Sequence, residues 1–178
     1  MKKGFTLIEL LIVIAVLGIL AAGILATIDP FEQFKKARDT NTRNTIVELY
    51  NSFIRFNANH GLWPWEASAG CAGGGGCTIP NSTVLSGIIP NIVSTIITDG
   101  ELKSGFATNI DASVLTSARI TALTNVTTGE VETVAVCFLP SSKTIRKDVN
   151  TKYNMNGSTN SPACPGNGTT GTCYWCAL

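Results

Sequence analysis

Charge is scarce in this chain. Charged side chains make up 14% of the 178 residues, where soluble domains usually carry about a quarter. Twenty-two threonines and fourteen asparagines take their place, so uncharged polar groups must keep the surface wet. The formal net charge is +1, and so small a balance excludes strong electrostatic attraction to nucleic acid or anionic lipid. Histidine is nearly absent. The single His60 has no acid or nucleophile spaced to work with it, which leaves it a helix-capping or surface role. The run Gly73-Gly74-Gly75-Gly76 lacks the lysine and hydroxyl of a phosphate-binding loop and does not join a strand to a helix. No acid, base and nucleophile converge in sequence, so the chain reads as no enzyme, with no cofactor and no metal.

What is present in quantity is one apolar run. From Phe5 to Ile28 the only charged side chain is Glu9, and Leu10 to Ile28 are nineteen uncharged, mostly aliphatic residues. At about 1.5 Å of rise each they form a helix of about 28 Å, close to the hydrocarbon thickness of a bilayer. Lys2 and Lys3 lie on one side of the run, Asp29 and Glu32 on the other. The lysine bias predicts a cytoplasmic amino terminus with the rest of the chain outside. An ordinary signal peptide has a shorter core without a glutamate near its start.

Glu9 needs a partner, because an ionised carboxylate costs a few kcal/mol, order of magnitude, in hydrocarbon. If the chain is cut after Gly4, the new amine of Phe5 is a cation four residues away. A second copy displaced along the helix axis can offer its own amine to Glu9. That pairing neutralises two charges in an apolar bundle and sets the stagger between copies.

Lys3-Gly4, then Phe5-Thr6-Leu7-Ile8-Glu9-Leu10, then the aliphatic run resembles the leader and amino-terminal helix of type IV pilins and of the pseudopilins of type II secretion. The resemblance implies that a prepilin peptidase cuts between Gly4 and Phe5 and methylates the Phe5 amine, and that Glu9 acts in subunit registration. It further implies partners: copies of the chain, related pilin subunits and the pilus or secretion assembly machinery. The chain is then held in the cytoplasmic membrane before assembly and in a surface or periplasmic filament after it. A pseudopilin and a membrane-anchored adhesive or binding domain that never polymerises are the alternatives. A nucleic-acid partner is compatible but unsupported.

Asp29-Pro30-Phe31-Glu32 is a fresh helix start, with Asp29 as N-cap, Pro30 at the first helical position and Glu32 closing a capping box. A kink is therefore predicted at Asp29 and Pro30. Members of the resembling family commonly carry a proline a few residues earlier, where this chain has Ala26. From Phe31 to about Ala58, Phe34, Ile46, Leu49, Tyr50, Phe53 and Ile54 recur at helical spacing, with Lys35, Lys36, Arg38, Asp39, Arg43, Glu48 and Arg55 on the remaining surface. Gly61 stops this helix.

Residues 83–104 predict two short helices interrupted at Pro90 and ended by Asp99-Gly100. Ser117–Val126 and Val131–Leu139 predict an antiparallel hairpin whose Val134, Val136 and Phe138 face the long helix. A third strand is predicted around Lys143 to Val149. The six cysteines, Cys71, Cys77, Cys137, Cys164, Cys173 and Cys176, all fall on the outer side. An even number in an exported domain favours disulfides. Cys71 with Cys77 is the predicted local bridge, with two more among the other four. The Cys173–Cys176 gap also occurs in redox and zinc motifs, but a stapled carboxy-terminal strand is the stronger reading.

The predicted architecture is α+β: a long kinked amino-terminal helix with a membrane-spanning first half, packed on a small antiparallel sheet head with disulfide-bonded loops. The predicted divisions are a leader at 1–4, a transmembrane or filament-core helix at 5–28, an amphipathic helix half at 29–60 and a head at 61–178.

Overall fold

The computed structural model describes residues 4–27, 29–67, 82–125, 127, 130–160, 164 and 173–178. The chain separates into two compact units, Met1–Phe34 and Lys35–Leu178. The first holds helix α1 (Leu7–Thr27) and the start of α2 (Pro30–His60). The backbone N–H of Glu32 donates to Asp29 Oδ1 at 3.2 Å, so Asp29 caps α2 at its amino end.

The second unit is an α+β head. Leu49, Phe53, Ile46 and Phe56 of α2 recur at three- and four-residue spacing and are buried, forming the stripe that a helix on a core requires. They pack with Val134, Val136 and Phe138 of β3 (Val131–Phe138), Ile120 of β2 (Arg119–Thr124) and Trp175 of β4 (Trp175–Ala177) in one core. The hairpin forms within the predicted segments, with Ile120 opposite Val136 and a register shift between Leu123 and Thr124. Phe34, read with the same stripe, is instead 72% exposed. It precedes Asp39, the first buried residue of α2.

The sheet is antiparallel in the order β1-β2-β3-β4, with β1 (Thr83–Val84) pairing Arg119 and Ile120. The edge strand β1 is two residues long because the chain turns at once into α4 (Leu85–Ile88). The predicted interruption at Pro90 takes the form of a change in helix type, α4 ending at Ile88. The chain passes the proline in a π-type turn (Ile89–Val93) and continues into α5 (Ser94–Thr98). A wider turn shifts the hydrogen-bond pattern around the N–H that proline lacks. Short helices α3 (Pro64–Ala67), α6 (Phe106–Asn109) and α7 (Ala112–Ser117) complete this side. Gly61, at φ +68°, closes α2 in the left-handed conformation, its N–H donating to Asn57 O at 2.8 Å.

The third predicted strand is a helical turn, α8 (Lys143–Arg146). Three local bonds outweigh the β-branched residues there. Ser142 Oγ accepts from Ile145 N at 3.3 Å, Arg146 Nε donates to Pro140 O at 2.9 Å, and Thr151 Oγ1 donates to Ile145 O at 2.6 Å. The turn is anchored by Asp39, which the sequence placed on the surface and the fold buries. Its carboxylate accepts from Ser141 N at 2.9 Å, Ser141 Oγ at 2.7 Å and Ser142 N at 2.7 Å. A buried carboxylate needs such donors, and here they join α2 to the chain leaving β3.

The fourth strand comes from the carboxy terminus. Trp175, Cys176 and Ala177 pair with Phe138, Cys137 and Val136. The bridge Cys137–Cys176 crosses this pair, and Cys164–Cys173 closes a nine-residue separation beside it. The two cysteines of the Cys173–Cys176 gap therefore bond elsewhere and not to each other. The predicted Cys71–Cys77 bridge lies outside the described residues. Ala135, Cys137 and Cys176 form a second cluster with Tyr153 and Tyr174 on the opposite sheet face. Strand β3 is thus buried on both faces from Val134 to Phe138. Arg43 of α2 lies 4.8 Å above the Trp175 ring.

Candidate functional site

The amino-terminal helix is built from residues that favour helix or tolerate it in apolar surroundings, and its described residues are exposed. Over Leu7–Leu25 the mean hydropathy is 2.8 and none of the stretch is buried. Leu7 and Leu25 are 82% and 73% exposed. A helix apolar around its whole circumference is stable only against lipid or other helices.

Thr6 and Glu9 shape its entry. Thr6 N donates to Glu9 Oε2 at 2.9 Å, Thr6 Oγ1 donates to the same oxygen at 2.7 Å, and Glu9 N donates to Thr6 Oγ1 at 3.3 Å. This is a reciprocal capping box: the Thr6 hydroxyl serves the otherwise unpaired N–H of Glu9, and the Glu9 carboxylate serves the N–H of Thr6, the residue that caps the helix. Sequence reasoning treated Glu9 only as an acid in want of a cation. The Thr-x-x-Glu spacing before an apolar run was the signal for the second role. Gly4 and Phe5 precede the helix, with Phe5 85% exposed, so the predicted cleavage bond lies outside regular secondary structure.

On the head, a cavity of about 560 Å³ lies between Arg38, Asn41 and Thr42 of α2 and Asn109 and Asp111. A second of about 530 Å³ shares Thr45, Glu48 and Asn109 and extends to Lys103 and Phe106. Asp111 caps α7, and the Ser113 hydroxyl and backbone N–H hold its carboxyl below the usual aspartate range, with Arg38 adding a smaller pull. His60 stacks on Phe56 at 4.4 Å between centroids and places Nε2 2.9 Å from Asp99 Oδ1. The His60–Asp99 contact ties the end of α2 to the turn that ends α5. Among the described residues no three His, Cys, Asp or Glu side chains are grouped to hold a metal ion.

Residues 1–25 match the model of the prokaryotic N-terminal methylation motif. The chain is similar to type IV pilins. It is 30% identical over 109 residues to the type IV major pilin protein PilE1 of Neisseria gonorrhoeae, covering 58% of this chain and 50% of that protein. Over 74 residues it is 38% identical to the type IV major pilin protein PilE of the same organism, covering 40% of this chain and 42% of the relative. The fimbrial protein of Neisseria meningitidis serogroup B is 31% identical over 108 residues, covering 58% and 62%. The chain thus spans about half the length of the gonococcal relatives it matches. No solved structure matches it. The chain combines the motif, an apolar helix fit for membrane anchoring and an α+β head with two described disulfides.

Proposed function

We propose that this chain is a structural subunit of a type IV pilus-like filament. On this reading a prepilin peptidase cuts after Gly4 and methylates the amine of Phe5. The subunit waits in the cytoplasmic membrane with its amino terminus inside, then packs residues 5–28 into the filament core while residues 29–60 support the head, 61–178, at the surface. The observation that carries the reading is the uncovered apolar helix headed by a single acid. Lipid satisfies it before assembly and neighbouring helices afterwards, so transfer between the two never exposes it to water. A heterologous contact between copies does not close on itself and yields an open filament.

The capping box refines the role of Glu9. Both short bonds converge on Oε2, which leaves Oε1 to face the Phe5 amine of a second copy. The relatives named as major pilin and fimbrial proteins support a shaft subunit at the cell surface. Intact-mass analysis of the native protein tests the reading: loss of the first four residues with one added methyl group is the expected result. A mature protein that still begins at Met1 overturns it.

A further inference from the structure

The two cavities on the head open into one groove, since Thr45, Glu48 and Asn109 line both. Its helix wall is Arg38, Asn41, Thr45 and Glu48, which recur at three- and four-residue spacing on one face of α2. That face borders the stripe of Asp39, Thr42, Ile46 and Leu49 that α2 buries. The facing wall runs from Lys103 to Asp111, and the buried Phe106 and Val114 close the groove toward the core.

The lining is rich in hydrogen-bonding groups and poor in net charge. Arg38 and Lys103 stand against Glu48 and Asp111, and Arg38 is near enough to Asp111 to draw on its carboxyl. Thr42 and Thr45 spend their hydroxyl protons on the α2 carbonyls of Arg38 and Asn41, at 3.0 and 3.1 Å, which leaves the hydroxyl oxygens as acceptors. Among the described residues no hydrogen bond or ion pair engages the side chains of Asn41, Glu48 and Asn109. The Asn109 carboxamide folds back over Gly105, where an added Cβ would lie 2.9 Å from its Nδ2.

We propose that this groove binds a short neutral oligosaccharide. Balanced charge gives no net hold on phosphate, nucleic acid or an acidic peptide, which call for an excess of cations. An apolar ligand would strand the carboxamides and the carboxylate without partners. A sugar hydroxyl both donates and accepts, as a carboxamide does, so it matches Asn41 and Asn109 on both counts. Two neighbouring hydroxyls can share the Glu48 carboxylate, and the carbon face of the ring lies toward Phe106 and Val114. Cavities of about 560 and 530 Å³ fall in the range of small-molecule sites, and two joined end to end suit more than one ring. The inference does not depend on polymerisation.

The test is a titration of the isotope-labelled full-length chain, held in a detergent without a sugar headgroup, with maltotriose and with chitotriose, followed by backbone amide shifts. At least one sugar is expected to give saturable shifts confined to residues 38–48 and 103–114, with a Kd of about 1 mM or tighter. Glu48→Gln and Asn109→Ala, both at exposed positions, each weaken that binding at least about tenfold. Gly105→Ala weakens it as well, by displacing the Asn109 carboxamide, and its backbone at φ −80° accepts alanine. Lys152→Ala, beside Tyr153 of the cluster on the opposite sheet face, leaves it unchanged. No saturable shift with either sugar up to about 20 mM overturns the inference, as do shifts that Glu48→Gln and Asn109→Ala both leave intact. Inorganic phosphate that displaces the sugar marks an anion site and overturns it. Shifts at the same residues on raising protein concentration without sugar assign the groove to a second copy and also overturn it.

Discussion

Replacing Asp39 with alanine tests how the head is joined to its helix. In the wild type the carboxylate is 3% exposed and receives the Ser141 N–H, the Ser141 hydroxyl and the Ser142 N–H, all within 2.9 Å. Hydrogen bonds to a charged group contribute about 1.5–3 kcal/mol each, and a buried donor left unpaired costs about 1–3 kcal/mol. The three do not add. The Ser141 side is partly open, so water replaces some of what alanine removes, whereas Ser142 is fully buried. A net loss of about 3 kcal/mol follows, equivalent to a fall in Tm of about 6–12 °C for a unit of this size. Thermal unfolding of the full chain in detergent, followed by circular dichroism, measures it. Ser141→Ala, which removes the hydroxyl but no backbone donor, costs about 1 kcal/mol. The double variant costs less than the sum of the singles because the partners are shared. An Asp39→Ala protein melting within about 1 °C of wild type would falsify the claim that this carboxylate fastens α2 to the turn after β3.

Other perturbations probe the carboxy-terminal strand, an acid limb and two turns. Converting Cys137 and Cys176 to alanine frees a 39-residue separation, which chain entropy values at about 4 kcal/mol, against about 2.5 kcal/mol for the nine residues between Cys164 and Cys173. The nested bridge shortens the effective outer loop, so melting of each variant is compared with the other bridge intact; equal losses contradict the loop-length ranking. Asp111 has a depressed folded pKa, so its contribution is present above the unfolded aspartate value and is lost as pH falls through the folded one. Denaturant melts between about pH 2 and 6 should show a shallower acid decline for Asp111→Asn, and an unchanged slope argues against the cap. Gly61 and Gly157 both have positive φ, at +68° and +78°. A Cβ on Gly61 meets nothing, while one on Gly157 falls 2.5 Å from Ala135 Cβ. Gly61→Ala then costs about 1 kcal/mol, and Gly157→Ala about 2 kcal/mol or more, since strain and overpacking combine. Urea midpoints in the reverse order refute the close approach.

Much of the architecture was legible because it is local. Nineteen uncharged residues in a row declare an apolar helix whatever follows. The three- and four-residue recurrence from Ile46 to Phe53 declares its buried face, Asp29-Pro30 its second start, and the alternation of Val134, Val136 and Phe138 a strand. Each signal depends on neighbours within a turn or two, where backbone geometry fixes which side chains share a face. The Thr6–Glu9 box was equally local and was missed because the acid was read for its charge alone.

What only the tertiary structure decided depends on residues far apart in the chain. Asp39 reads as surface until Ser141 and Ser142, over a hundred positions away, supply the donors that let a carboxylate be buried. Lys143–Arg146 looks as fit for a strand as for a turn until Arg146 finds the carbonyls of Pro140 and Ser141. Cys137 has several possible partners in sequence, and pairing of β4 with β3 sets Cys176 opposite it. Periodicity reports which face of an element seeks cover. The element that provides the cover, and the polar groups satisfied along with it, are settled only when the pieces meet.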